Sequence, residues 1–218
     1  GDQLQPREGF YDIRITAELW ETHFFDHVSL LVVDHPADTE MFVDERFQPS
    51  APPALAPRAM RLLGPVATAR DGHGSDVTGV VASRDGRYLA TFKRGPYQGI
   101  AEEHFVEFEL GSHARTDRLT LIANGWIYPT DSSINVAVGQ GGVVRPSGLI
   151  LEARDADGRW VVVEQDLGFP AGKNKTMVID LRRAGDARRL RLRTNLEIYW
   201  DALAIGERVG EQAGSPIP

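Results

Sequence analysis

The chain has 218 residues, of which 42% are hydrophobic and 25% are charged, so it can form one large β-domain or two small ones with a packed core. Its formal net charge of −7 argues against a general nucleic-acid binder, because affinity for phosphate backbones requires excess Lys and Arg. It contains no cysteine, which excludes disulfides and thiolate metal sites. No apolar run reaches the length of a membrane span.

Short strands separated by turns account for most of the chain. Segment 18–26 fits either a short helix or a strand with a turn, the Pro-rich stretch 48–58 predicts a stiff extended connection, and 139–148 predicts a flexible Gly-rich loop. Helical periodicity of useful length is almost absent, so we predict an all-β fold. The main strand signals lie in 10–16, 27–34, 40–43, 104–110, 118–128, 149–165, 176–181 and 190–205.

The clearest local signal is a hairpin over 149–165. Asp155-Ala156-Asp157-Gly158 lies between two alternating apolar runs, and these residue types tolerate the backbone conformations of tight turns. The two aspartates could also be calcium ligands. A calcium loop needs further oxygen ligands at fixed spacing, and the apolar run 160–163 interrupts that spacing. The pattern therefore favours a plain turn.

Two segments in the first half of the chain resemble segments in the second. Glu18-Leu19, Asp26, Val28 and Leu30 match Glu109-Leu110, Asp117, Leu119 and Leu121 at one offset, and Ala69-Arg70-Asp71, Gly74 and Val77 match Ala153-Arg154-Asp155, Gly158 and Val161 at another. The matches fit either an internal duplication or a coincidence of common residue types. We predict two jelly-roll-like β-sandwich halves, 10–95 and 104–207, that meet near 95–103, with loose tails at 1–9 and 208–218.

Three groups of polar residues contain the residue types of catalytic sites. If 18–28 were helical, His23 and His27, near Asp26, Asp34 and His35, would share a helix face; no His-Glu-x-x-His order is present, and a strand beginning at residue 27 would separate them. Asp71, His73, Ser75 and Asp76 lack a Gly-x-Ser-x-Gly elbow, and the adjacent Glu102, Glu103 and His104 are poorly spaced for paired acid–base work. Residues 139–142 lack the Lys of a phosphate loop. We therefore assign no catalytic residue, metal ligand or cofactor; a calcium ion, if bound, is expected to be structural.

The aromatic residues give a stronger signal for binding. Sugar-binding faces present aromatic rings bordered by polar groups, because a ring stacks on the apolar face of a pyranose while polar groups hydrogen-bond its hydroxyls. Alternation in 190–200 places Trp200 in the core and Tyr199 on the outside. Tyr97 lies in a predicted loop. The predicted ligand-binding residues are Asn124, Trp126, Tyr128, Asp131, Asn195, Tyr199 and Asp201.

Two resemblances to known families add expectations. The segments HFVEFELG, DRLTLIANGW, ARDADGRW, KTMVIDL and LRLRTNLEIYWDALAIG resemble the galactose-binding-like jelly roll of discoidin-type and carbohydrate-binding modules. YDIRITAELWETHFFDHVSLLVVDHPADTEMFVDERF, NGWIYPTDSSINVA, LGFPAGKNKTMVIDL and RLRTNLEIYWD resemble the C-terminal region of bacterial extracytoplasmic proteins bearing FG-GAP and ASPIC/UnbV segments. The second resemblance implies an exported module attached to a larger, repeat-containing parent protein.

The leading hypothesis for function is a non-catalytic binding or packing module of an exported protein, with a glycan or the rest of a larger parent chain as partner and no nucleic-acid partner. The first alternative is a carbohydrate-binding module that uses the aromatic residues of the second half. The second is a metal-dependent or hydrolytic enzyme that uses His23 and His27 or Asp71 and His73.

Overall fold

The described residues of the computed structural model are 6–13, 22, 24–28, 30–48, 56–112, 117–142, 145–209 and 215–217. Most of the regular structure in these ranges is β-strand, which confirms the all-β prediction. The strands are β1 Leu30–Val32, β2 Glu40–Phe42, β3 Arg46–Phe47, β4 Arg58–Pro65, β5 Thr68–Asp71, β6 Ile100–Glu109, β7 Leu119–Ile127, β8 Ile150–Arg154, β9 Trp160–Glu164, β10 Phe169–Pro170, β11 Lys175–Asp180, β12 Arg189–Leu196, β13 Ile198–Arg208 and β14 Ser215–Ile217; the helices are α1 Ser132–Gly141 and a 3-10 turn at Arg182–Ala184.

Two five-stranded antiparallel sheets form a sandwich. The first sheet has the order β11-β7-β13-β4-β2, and the second has the order β5-β6-β12-β8-β9. Alternate residues of each strand point between the sheets, as strand geometry requires. They form one core that includes Leu121 and Ile205 from the first sheet and Phe108, Leu151 and Leu192 from the second. The sandwich-like class is therefore confirmed.

The boundary predicted near 95–103 does not separate two sandwiches in the described part of the chain. β4 pairs with β13 in the first sheet, and β5 pairs with β6 in the second. Strands from 10–95 therefore complete both sheets whose other members come from 104–207. The reason is long-range hydrogen bonding along open strand edges, which a local pattern does not reveal. The predicted tail 208–218 also contains β14, which pairs with β1.

The hairpin predicted over 149–165 is confirmed, because β8 and β9 pair around the Asp155 turn. The Gly158 N–H donates to the Asp155 carbonyl at 3.0 Å, and the Asp155 N–H donates to the Arg159 carbonyl at 2.9 Å. The Asp71–Gly74 turn repeats this pattern, with Gly74 N–H donating to the Asp71 carbonyl at 3.0 Å. The matching segments 69–77 and 153–161 therefore contain the same kind of turn. Residues 18 and 19 of the first repeat lie outside the described residues.

The prediction of a flexible loop over 139–148 is wrong at its start, because α1 extends to Gly141. The Asp131 carboxylate accepts a hydrogen bond from the Ile134 N–H at 2.8 Å and caps the helix, as Asp commonly does at this position. Gly142 follows with a φ of 62°, the left-handed conformation that ends many helices.

Residues 43–48, which follow the edge strand β2, form a strap that crosses the outer face of the first sheet to β11. Phe42 packs on Met60, Ile122 and Val178, three residues that point away from the main core. The buried Asp44 carboxylate binds the Arg46 guanidinium at 2.6 Å, and Arg46 also donates to the Val178 carbonyl at 2.7 Å. The strap covers this part of the outer face, and the aromatic residues described next lie on the same face toward the other end of β7.

Candidate ligand-binding site

Tyr199 and Trp126 form the centre of the candidate site. They lie directly opposite each other on β13 and β7, on the outer face of the first sheet. Their rings stack with centroids 4.5 Å apart and planes 11° apart. Directly opposed side chains on neighbouring strands are close enough for such contact, so the strand register itself creates this aromatic pair.

Three further aromatic rings surround this pair. Phe92 meets Tyr199 edge-on at 5.1 Å, Tyr128 lies 5.7 Å from Trp126, and Tyr88 meets Trp126 edge-on at 6.1 Å. Phe92, Tyr88, Trp126 and Tyr128 are half-buried, whereas Tyr199 beneath them is 6% exposed. We call these five residues the aromatic cluster. Tyr199 packs against Trp126 and Phe92, whereas Tyr88 and Tyr128 contact Trp126 and are partly exposed to solvent.

A buried carboxylate fixes Tyr199 in place. The Tyr199 hydroxyl donates to Glu197 Oε1, and Arg94 Nη2 donates to the Tyr199 hydroxyl at 2.9 Å. Arg94 Nε also lies 2.9 Å from Glu197 Oε1, and the Gly99 N–H donates to Glu197 Oε2 at 3.1 Å. Burial, together with the hydrogen bond to Glu197, raises the pKa of Tyr199 above its ordinary value. The hydroxyl therefore stays protonated, and the exposed Arg94 side chain is held at the border of the aromatic cluster.

The structure brings together Trp126, Tyr128 and Tyr199 from the predicted set. Tyr199 faces away from the core as predicted, although Trp126 and Phe92 cover it, and Trp200 is buried in the core as predicted. Tyr97 packs against the core instead of joining the aromatic cluster.

The side chains of the four predicted polar residues form hydrogen bonds to backbone groups of the protein. Asn124 Nδ2 donates to the Lys175 carbonyl at 3.3 Å, and Asp131 caps α1. Asn195 accepts from the Ser147 N–H at 2.6 Å and donates to the Arg145 carbonyl at 2.9 Å. Asp201 accepts from the Asp85 and Gly86 N–H groups at 3.2 and 3.0 Å. Asp201 thereby positions the loop that carries Tyr88.

The predicted set of ligand-binding residues omits Tyr88, Phe92, Arg94 and Glu197. Tyr88, Phe92 and Arg94 belong to the irregular segment between β5 and β6, where no periodicity predicts which side chains meet. Glu197 did carry a signal, because it is an acidic residue between the apolar Leu196 and Ile198, both of which are buried. A buried carboxylate requires partners, and that requirement could have led to a search for an arginine.

The residues of the enzyme alternative have other roles. Asp71 Oδ1 accepts from the N–H groups of His73 and Ser75, each at 2.9 Å, and these bonds hold the pKa of Asp71 below its ordinary value although burial opposes them. The Glu102 carboxylate binds Lys93 and that of Glu103 binds Arg193, both at 2.7 Å. His23 lies outside the described residues, so the pairing of His23 with His27 stays a prediction.

No group of three or more His, Asp or Glu residues within the described ranges could hold a metal ion. No helix in that part of the chain is both long and apolar enough to cross a membrane.

Comparisons with known proteins place the chain in no family. No protein-family model matches it, and no curated protein matches it. The chain is similar to one solved structure, titled "CpGH89CBM32-6 produced by Clostridium perfringens", with 14% identity and a TM-score of 0.35 over 59% of this chain and 82% of the other. A likeness this distant carries no functional argument, so the site must be judged on its own geometry. The resemblance to the FG-GAP and ASPIC/UnbV-bearing proteins stays a prediction.

Proposed function

We propose that the protein is a non-catalytic binding module that recognises carbohydrate at the aromatic cluster. The observation that carries the proposal is the gathering of partly exposed Trp126, Tyr128 and Tyr88 rings beside the Arg94 guanidinium. Aromatic rings offer flat apolar surface to the C–H face of a sugar, and a guanidinium offers several N–H donors to its hydroxyls. This combination suits a neutral polyhydroxylated ligand.

The chemistry at the cluster favours binding over bond breaking. Glu197 is the carboxylate that contacts Tyr199, and both of its oxygens accept hydrogen bonds, one from the Tyr199 hydroxyl and one from the Gly99 N–H. Arg94 also holds it as an ion pair. A general acid or base must exchange a proton with the substrate, and a carboxylate held by three partners is arranged instead to fix its neighbours. We also propose that the module is part of an exported protein, on the basis of the resemblance to the FG-GAP and ASPIC/UnbV-bearing proteins.

A glycan array and affinity electrophoresis through neutral polysaccharides test the proposal. We expect retention of the wild-type protein on at least one glycan, and loss of retention in a Tyr128→Ala variant, because that ring is partly exposed in the cluster. Tyr11→Ala is the matched control, since Tyr11 is exposed and lies in the N-terminal segment.

Retention that Tyr128→Ala leaves unchanged would contradict the proposed site. Absence of retention on every glycan would contradict carbohydrate recognition. The remaining hypothesis would then be a module that packs against the rest of a larger parent chain. Phe10 and Phe24 are 78% and 89% exposed, and exposed apolar side chains of this size are typical of surfaces that contact another protein.

A further inference from the structure

The edges of the two sheets differ in how they are covered. On β11, at one edge of the first sheet, the Thr176 carbonyl accepts a hydrogen bond from the Glu45 N–H of the strap at 2.8 Å. On β5, at one edge of the second sheet, the Ala69 carbonyl accepts from the Val77 N–H at 2.9 Å. An uncovered edge exposes N–H and C=O groups that pair readily with another chain, so these bonds protect both edges.

β9, at the other edge of the second sheet, lacks such cover in the described part of the chain. It pairs with β8 alone, and no backbone hydrogen bond joins 160–164 to another segment within the described ranges. Its sequence is WVVVE, which has no proline and carries its charge at the end; a register shift at Val163 limits the regular ladder to 160–162. Prolines and charges are common means of blocking an edge. Among the described residues, the outer edge of β9 is therefore open to a further strand.

A groove of about 570 Å³ lies between β9 and residues 183–188. Val161 lines this groove and faces the same way as Ala153, its partner on β8, because directly paired residues share a face of the sheet. Ala153 is buried in the core, whereas Val161 is 50% exposed. The sandwich is thus open at this edge, and the groove has room for an apolar side chain of an added strand.

The charges that line the groove are unevenly compensated. They belong to Arg154, Asp155, Arg183, Asp186 and Arg188. None of the three arginines forms an ion pair within the described part of the chain, whereas Arg182, next to Arg183, pairs with Asp180 at 2.6 Å. Three guanidinium groups and two carboxylates leave the groove with one excess positive charge, although the whole chain has a net charge of −7. An acidic segment therefore fits better than a second copy of this edge, which would bring like charges together.

We propose that β9 and this groove form a docking site for an extended, acidic peptide segment of a partner protein. The segment adds a strand to β9 through backbone hydrogen bonds, places an apolar side chain beside Val161, and presents carboxylates to Arg183 and Arg188. Main-chain pairing gives such a site its affinity, whereas side-chain pockets and charges give it selectivity. The site lies on the second sheet, so it does not depend on carbohydrate recognition at the aromatic cluster on the first.

Two synthetic peptides form a matched pair of probes for the intact protein. One alternates Glu and Val over six residues with both ends blocked, and the other has Lys in place of each Glu. We expect the acidic peptide to bind at least about tenfold more tightly than the basic one in fluorescence anisotropy, and added salt to weaken its binding. We also expect the acidic peptide to slow hydrogen exchange of the backbone N–H groups in 160–164, because strand addition gives outward-facing N–H groups an acceptor.

Two neighbouring arginines provide the variant and its control. Arg183→Gln should weaken binding of the acidic peptide about threefold, whereas Arg182→Gln should leave it unchanged, because Arg182 does not line the groove and pairs with Asp180.

Equal affinity for the two peptides would overturn the proposal. Exchange in 160–164 that stays unchanged at saturating acidic peptide would overturn it as well. So would protein that self-associates through 160–164 without binding the peptide, which would assign this edge to a second copy of the chain. The peptide comparison and the exchange measurement use the wild-type protein, so the test remains decisive if a variant fails to fold.

Discussion

At the scale of single residues, the buried carboxylate of Glu197 organises the aromatic cluster. Glu197 has a side chain that is only 4% exposed, and isolated burial of a carboxylate is costly. Its cost is offset by Arg94, Tyr199 and the Gly99 N–H, which come from two different parts of the chain. The segment 94–99 is thereby tied to β13, and the Tyr199 ring on which Trp126 rests has little freedom to move.

A partly buried histidine, His104, makes stability depend on pH. Burial depresses its folded-state pKa below the ordinary value of 6.5, so the unfolded chain takes up a proton at a higher pH than the folded protein. Stability is therefore fully present above pH 6.5 and is lost as the pH falls below that value. The other titratable or charged side chains around the ring are His73, Lys93, Glu102 and Glu103. Glu102 forms an ion pair with Lys93, and Glu103 forms one with Arg193.

We predict that His104→Phe weakens this pH dependence. The free energy of unfolding of the wild-type protein should fall between pH 7 and 5.5 with a slope of up to about 1.4 kcal/mol per pH unit from this residue. The variant should show a shallower slope in urea unfolding at the same pH values. Identical slopes for the two proteins would mean that His104 titrates normally in the folded state.

At the scale of elements, a β-bulge in β13 places Asp201 where it binds the loop that carries Tyr88. The ladder with β7 pairs Trp200 with Gly125 and Ala202 with Asn124, which leaves Asp201 as the extra residue. A bulge changes the direction of the side chain at the extra residue. The Asp201 carboxylate here accepts hydrogen bonds from the backbone N–H groups of Asp85 and Gly86. A Cβ atom at Gly125 would lie 2.5 Å from the Tyr199 carbonyl, so the close approach at the bulge requires glycine.

We predict that Asp201→Ala destabilises the protein by about 2 kcal/mol and loosens the loop that carries Tyr88, because two backbone N–H groups lose their acceptor. Hydrogen exchange should become faster across 83–88. Asp201→Asn keeps one oxygen acceptor and should lose less stability. Asp157→Ala is the control, since that side chain is 73% exposed on the β8–β9 turn. Unchanged exchange in 83–88 for Asp201→Ala would show that the loop is held by other contacts.

At the scale of the whole molecule, the sequence patterns predicted those features that depend on residues close together in the chain. The Asp155 turn, the inward position of Trp200 and the all-β class follow from turn chemistry and period-two alternation. The similarity of the Asp71 and Asp155 turns also has a local origin, because an aspartate three residues before a glycine forms the same turn in both places. This shared turn explains that repeat without requiring two sandwich halves.

Long-range pairings were beyond local patterns. Nothing in 58–71 indicates that β4 joins β13 while β5 joins β6, because unpaired strand edges look alike in sequence. The same limit applies to the candidate site. Trp126 and Tyr199 were recognised as aromatic strand residues, but their stacking depends on the register of β7 and β13. Helix α1 was missed although Asp131 and the two serines after it form an N-terminal capping signal.

The most direct test of the account compares two tryptophans on opposite sheets. Trp126 belongs to the aromatic cluster on the first sheet, and Trp160 lies under the Arg191 guanidinium on the second. In calorimetric titration with an oligosaccharide selected on the array, Trp126→Ala should lower the affinity at least about tenfold, whereas Trp160→Ala should bind within about twofold of wild type. Equal losses in the two folded variants, or full affinity in Trp126→Ala, would contradict carbohydrate recognition at this site.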